Sequence, residues 1–399
     1  MLAIYLSPIY ILVNLYLFRW LLRWMGACHH FFQKKWMKAG MAVIYFILAL
    51  SLLIGFLLPA GNLQRFFKSL GNYWLGVLLY AVLAVVIADV IRLILRRVKR
   101  INQDKLRSRR TLAVGGGAAL LIIMAVSVWG VVNARIIRTT EYEITVKKNG
   151  GNLDELNVVL LADLHLGYNI GCHQMEQMTE KVNAQNPDLV VIAGDIFDNE
   201  YEALDDPERL ISILKGIKSK YGVFACYGNH DIQEKILAGF TFGNREGEKA
   251  SDPRMDELLE KAGITLLRDE GVLIDNSFYL YGRPDEKRPG RGITRRAKPE
   301  EITKDMDQDK PILVIDHEPS QLGELSEAGV DVDLCGHTHD GQMFPGNLVM
   351  DFLWENPCGY LKKGDMHNIV TSGVGLFGPN MRVGTKAEIC PIKIQFEAA

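Results

Sequence analysis

Four apolar stretches in the first third of the chain constrain its fold more than anything that follows. They run from about Leu2 to Leu22, Ala39 to Ala60, Tyr73 to Leu95 and Thr111 to Val132. Each is long enough to cross a bilayer as helix, which takes about 20 residues. Helices of a soluble core carry a polar stripe at helical spacing, whereas Val43–Leu58 has none beyond Ser51. Residues 1–135 therefore read as a transmembrane region of four helices, and residues 141–399 as a soluble α/β domain long enough to bury a large core.

Basic residues set the expected orientation. The first loop holds Arg23, Lys34, Lys35 and Lys38. The third holds Arg96, Arg97, Lys99, Arg100, Lys105, Arg107, Arg109 and Arg110, and the second only Arg65 and Lys68. Loops one and three are thus expected in the cytoplasm, with the N-terminus, loop two and the soluble domain outside. Arg135 and Arg138 oppose this weakly. The chain is apolar from Leu2, with no basic stretch ahead of it, so no cleavable signal peptide is expected. Asp89 is the one candidate for intramembrane chemistry, and Arg92 lies a turn away; near the cytoplasmic end the two can pair or reach the interface. Gly115, Gly116 and Gly117 suit close helix packing.

Net charge is -2, which offers no reason to expect nucleic-acid binding. The soluble half holds Cys172, Cys226, Cys335, Cys358 and Cys390, an odd number without CxxC spacing. Buried free thiols fit better than a disulfide framework.

Within the soluble half, apolar runs of buried-strand type recur, each ending in polar residues. Asn157–Ala162 ends at Asp163-Leu164-His165, and Leu189–Ala193 at Gly194-Asp195-Ile196-Phe197-Asp198. Val223–Tyr227 ends at Gly228-Asn229-His230-Asp231, Ile312–Ile315 at Asp316-His317-Glu318, and Val332–Cys335 at Gly336-His337-Thr338-His339. Met175–Gln185 and Pro207–Ile217 read as helices between them. In layered α/β folds ligands bind outside the C-terminal strand ends. Five strands thus aim Asp, His and Asn at one place, and Gly194, Gly228 and Gly336 let the backbone approach it closely. Any one of these motifs alone is weak, and a lone His after a strand is usually structural. Five in order are not readily a coincidence.

Imidazole with carboxylate oxygen suits Mn, Fe or Zn rather than Ca or Mg. There are more ligands than one tetrahedral site takes, so a two-metal site with a shared carboxylate is expected, with manganese favoured. Such a pair activates a bridging water and clamps the oxygens of an in-line displacement at phosphorus.

At these residues the sequence resembles the calcineurin-like metallophosphoesterase superfamily, in particular the membrane-tethered bacterial branch similar to YkuE and YaeI. The resemblance covers about residues 141–395 and includes Thr371–Gly375 with Arg382 following. Asp340 stands where that branch commonly has glycine, before Gly341-Gln342. The resemblance implies a four-layer α/β/β/α sandwich. It implies one ion held by Asp163, His165 and His339, a second by Asn229, His317 and His337, and Asp195 bridging both. It implies that His230 faces the substrate as acid or oxyanion stabiliser, oriented by Asp198, and that Asp231 supports the loop.

The function expected is hydrolysis of a phosphate ester by a metal-bridging hydroxide, with His230 assisting the leaving group. Lipid head groups, cell-wall polymers and nucleotides are all plausible substrates for a domain tethered to the bilayer. Two other readings stand beside it. One is a catalytically silent metal-binding receptor or scaffold, against which the complete ligand set argues. The other is a regulatory domain of a membrane transporter, against which the scarcity of intramembrane charge argues. Tyr281–Lys298 is rich in Gly, Pro, Lys and Arg. It reads as a solvated loop or as a cationic lid for anionic substrate or lipid.

Overall fold

The computed structural model describes residues 2–237, 240–242, 251–290 and 293–397. Arg291 and Gly292 of the basic loop lie outside them. The chain divides into two units. One holds residues 1–132 with the short segments 236–242 and 378–381, and the other holds the remainder.

In the first unit all four apolar stretches are helices: Leu2–Cys28, Lys35–Leu57, Asn62–Arg97 and Arg109–Asn133. Each is long and apolar enough to span a membrane. Polar side chains tie the first three together. Tyr10 Oη donates to the Ala49 carbonyl, Tyr45 Oη to Asn14 Oδ1 at 3.1 Å, and Trp74 Nε1 to Tyr10 Oη at 3.1 Å. Of the three consecutive glycines, Gly116 is the one that receives a neighbour: the Trp24 ring fills the place of its missing side chain, and Trp24 Nε1 donates to the Ala113 carbonyl. Asp89 accepts from Tyr16 Oη at 2.7 Å.

The second unit is a sandwich of two sheets. The first contains Glu155–Leu161, Leu189–Ala193, Val223–Cys226 and Ile264–Leu266 in parallel order, with Ala387–Phe396 antiparallel to Glu155–Leu161. The second contains Phe278–Arg283, Ile312–Asp316, Val332–Cys335 and Met366–Val370 in parallel order, edged by antiparallel strands. Period-two alternation assigns each side chain to a layer. Val158 and Leu160 join Leu280, Leu313, Ile315 and Leu334 in the core between the sheets. Val159 and Leu161 face the other way, onto the helices Cys172–Ala184, Pro207–Lys215 and Pro253–Lys261. Ile312 and Val314 pack beneath Leu322 and Leu325 on the outside of the second sheet. The result is the four-layer α/β/β/α arrangement. All six cysteines are free, four of them buried.

Candidate metal centre

The parallel central strands of both sheets run the same way within each sheet, so their C-terminal loops collect at one end. Backbone conformation there is unusual. Asp163, His165, Asp195, His337 and His339 all have φ between 47° and 74°. Non-glycine residues avoid this left-handed region, at a cost of about 1–3 kcal/mol each. Other non-glycine residues of the described chain share this conformation, but five of the seven expected ligands adopting it together points to function. Close approach explains two glycines beside them. A side chain on Gly194 would strike the His317 ring, and one on Gly228 would strike both Asp195 and His317.

The side chains converge. Asp163, His165 and His339 form one cluster, and Asp195, His317 and His337 another. His165 Nε2 faces His339 Nε2 at 3.0 Å. His317 Nε2 lies 3.0 Å from both Asn229 Oδ1 and His337 Nδ1. Between the clusters, Asp195 Oδ2 stands 3.3 Å from His317 Nε2 and 3.6 Å from His165 Nε2. The structure thus brings together all seven residues expected as ligands.

This donor set fits a pair of divalent ions. Ring nitrogens and carboxylate oxygens turn toward common points, mostly sealed from water; Asp163, His165, Asp195, His317 and His339 are buried. Uncompensated polar groups at such depth are costly. The groups perturb one another accordingly. Burial alone would raise Asp195, but His317, His230 and His165 together hold it well below the usual carboxylate range. Burial pushes His337 down to about 3, with His317 adding to the effect.

Residues 156–341 match the family model of the calcineurin-like phosphoesterases. The chain carries a calcineurin-like metallophosphoesterase domain. Its relatives include a zebrafish (Danio rerio) transmembrane protein with metallophosphoesterase domain, 28% identical over 81% of this chain and 74% of its own length. An uncharacterised metallophosphoesterase of Campylobacter jejuni is 28% identical over 60% of this chain and 59% of its own. A UDP-2,3-diacylglucosamine pyrophosphatase of Chlamydia trachomatis is 24% identical over 58% of this chain and 79% of its own. With four candidate spans and transmembrane relatives, the chain is a membrane protein.

Around the metallophosphoesterase centre, loops are tied by side chains. Asp231 accepts from the backbone N–H of Phe197 at 2.8 Å and of Gly228 at 2.7 Å, so one carboxylate joins two ligand loops. Arg382 is fully buried; it donates to the carbonyls of Ser372 at 2.6 Å, Gly375 at 2.9 Å and His339 at 3.3 Å. The Phe377 ring covers His230, with centroids 4.9 Å apart, and Trp354 stands edge-on to His337 at 5.3 Å.

His230 is held by a residue that the motifs do not mark. Its Nδ1 bonds Asn199 Oδ1. Asn199 Nδ2 donates to the Ile232 carbonyl at 2.7 Å, which leaves its Oδ1 as the acceptor facing the ring. Nδ1 therefore carries the proton, and Nε2 presents a lone pair unless the ring is charged. Asp198 Oδ1 stands 3.7 Å from His230 Nδ1 and 3.7 Å from His165 Nδ1. Burial pushes His230 down to about 4, against the raising effect of Asp195 and Asp198. Its resting form is neutral.

The basic loop is neither uniformly solvated nor a uniform lid. Arg296 is buried and donates to Asp316 Oδ1 at 3.3 Å, while Arg283 takes Asp316 Oδ2 at 2.7 Å. Arg295 makes a two-pronged pair with Glu301 on the surface. Among the described cations of the loop, Arg288 reaches the centre: its Nη1 donates to the Asn229 carbonyl at 3.2 Å and lies 3.3 Å from Glu234. Arg288→Gln is expected to raise KM for an anionic ester about fivefold, a loss of roughly 1 kcal/mol in binding. Arg295→Gln should leave KM unchanged. Equal effects in steady-state kinetics would return the whole loop to a nonspecific electrostatic role.

Proposed function

We propose that the chain is a two-metal phosphoesterase, its catalytic domain facing outward from the cytoplasmic membrane. The observation that carries this reading is the pair of buried clusters, Asp163/His165/His339 and Asp195/His317/His337, with Asp195 between them. Asp163, His165 and His339 would hold one ion, Asn229, His317 and His337 the other, and Asp195 both. Mn, Fe and Zn suit these donors, manganese foremost. Bound there, the ions supply a nucleophilic water at neutral pH and Lewis-acid stabilisation of the phosphoryl oxygens.

The chain's own residues do the rest. Asn229 and His337, half-buried, line the mouth where a phosphate enters. His230, set beside them and steered by Asn199, directs Nε2 toward the leaving oxygen. Its resting neutrality means that a proton must be gained for it to act as acid. The negative charge of an arriving phosphate ester favours that gain. Phe377 over the ring keeps water away from it. Asp198, equidistant from His165 and His230, couples the ligand to the acid.

The purified full-length protein, loaded with manganese, should hydrolyse p-nitrophenyl phosphate esters. Metal analysis should find two ions per chain. One ion in a fully active enzyme would exclude the shared-carboxylate scheme. A screen of lipid, cell-wall polymer and nucleotide phosphoesters then names the substrate class.

The outward orientation rests on the eight basic residues between Arg96 and Arg110. Fused after Ala399, a reporter that matures only outside the cytoplasm should be active, and a cytoplasmic reporter silent. The reverse pattern would invert the orientation while leaving the chemistry intact.

A further inference from the structure

The helix Asn347–Leu353 follows directly on the ligand loop and displays its apolar side chains to solvent. Leu348 is 54% exposed, Val349 49%, Phe352 88% and Leu353 64%, and Phe344 just ahead of the helix is 46% exposed. At 3.6 residues per turn, Leu348, Phe352, Val349 and Leu353 fall within an arc of about 140°. Asp351 lies about 60° beyond its edge. This is a one-sided apolar face, with no buried residue in the helix. Soluble surfaces rarely gather this many large apolar side chains without an occupant.

Two observations name the occupant. The first is the run of hydrogen bonds that leads from Asn133, where the fourth helix ends, to the metal centre. Asn133 is the last residue of the helix Arg109–Asn133. Its Nδ2 donates to the carbonyls of Arg382 at 3.1 Å and Thr385 at 2.8 Å, and Arg382 in turn donates to the His339 carbonyl. One arginine side chain thus separates the end of a span from a proposed metal ligand. The second is the continuity of the apolar face with the centre: Trp354, the residue after the helix, touches the His337 ring, and Tyr360, 45% exposed, lies nearby in sequence. Tyr and Trp are the side chains that favour the membrane–water interface.

We propose that Leu348, Val349, Phe352 and Leu353 are seated in a lipid layer. The metal centre then addresses phosphate groups carried by lipids at the membrane surface. The substrate part of this proposal rests on the phosphoesterase reading; the seating does not. Short amphipathic elements bury an apolar face about 5–10 Å into the head-group boundary.

The test uses full-length protein in phosphatidylcholine–phosphatidylglycerol nanodiscs. An environment-sensitive fluorophore is attached at Phe352→Cys in a Cys28→Ser/Cys358→Ser background, and separately at Lys304→Cys, an exposed turn site outside the apolar face. Nitroxide-labelled acyl chains should quench the label at 352 at least threefold more than the label at 304. Equal quenching at both sites would overturn the proposal. So would a blue-shifted but unquenched label at 352, which means that a protein rather than lipid covers the face. Phe352→Asp/Leu353→Asp should abolish lipid contact of this face, read as loss of quenching of a label at Leu348→Cys. It should leave p-nitrophenyl phosphate turnover within twofold. If the unaltered manganese-loaded protein hydrolyses no aryl phosphate, the phosphoesterase reading fails, while the quenching still decides the seating.

Discussion

Asp195→Asn is expected to be the most damaging single change in the protein, lowering kcat/KM at least about a thousandfold, or about 4 kcal/mol of transition-state stabilisation. The reason is its place rather than its charge alone. Oδ2 lies within 3.3 Å of His317 Nε2 and 3.6 Å of His165 Nε2, one from each cluster, while Oδ1 accepts the His230 backbone N–H at 2.7 Å. An amide keeps the size but offers one acceptor oxygen where the carboxylate offers two. Either the contact to His230 or the shared position between clusters is lost. Replacing a ligand in one cluster alone, as in His339→Ala, should cost one ion. Asp195→Asn should cost at least one and loosen the other. Elemental analysis after dialysis reads the difference, and the thermal midpoint of the metal-free proteins shows whether the fold survived. Two tightly held ions together with near-normal turnover in Asp195→Asn would mean that Asp195 does not bridge.

The same residues show what could be read from the chain and what could not. Strands such as Leu189–Ala193 and Val332–Cys335 were legible to the residue because both of their faces are buried: the first is an unbroken apolar run, and the second is broken only by Asp333. Their ends were legible because glycine and then Asp or His follow each run at once. Ala387–Phe396 escaped notice: it sits inside the first sheet but is interrupted by Glu388, Pro391, Lys393 and Gln395. Phe278–Arg283 was half-hidden, because Gly282 and Arg283 resemble loop until Asp316 is found opposite the guanidinium. The helix Asn347–Leu353 carries no side-chain cap and has Gly346 at its N-cap, so no start signal announces it.

At the site, the residues that converge were visible in the motifs, but the left-handed backbone beneath five of them was not. Nothing about Asp163 or His337 as letters says that φ is positive. Asn199 was invisible for another reason. It follows Asp198 directly, and a motif that already supplies a carboxylate gives no cause to look one residue further. Only the Ile232 carbonyl, which turns the Asn199 amide, makes it the partner of His230. Phe377 and Trp354 lie outside every motif and left no signal.

That arrangement around His230 yields the second large effect. An oxygen leaving from phosphorus gathers negative charge, and a positioned acid is worth about 10²–10⁴-fold in rate. The need follows the basicity of the leaving group: a glycerol or sugar alkoxide needs the proton badly, a p-nitrophenolate hardly at all. His230→Asn is therefore expected to keep both metals and to lose about 10²–10⁴-fold on an alkyl phosphate ester. On the p-nitrophenyl ester the loss should stay under about tenfold, since the departing anion is already stable. Asp198→Asn should give a smaller version of the same pattern, with some weakening of metal affinity through His165, which stands as near to it as His230 does. Asn199→Asp tests the orientation directly. It preserves an acceptor at Nδ1 and adds negative charge beside a ring that burial now holds at about 4. That charge favours the imidazolium, so the pKa of His230 rises. An acid works only while protonated, and activity on the alkyl ester falls as pH climbs through that pKa. The descending limb of its kcat/KM profile should accordingly move to higher pH in Asn199→Asp, with the p-nitrophenyl profile little changed. Equal losses on the two esters in His230→Asn, or metal lost from that variant, would make this histidine a ligand or a structural residue rather than the acid.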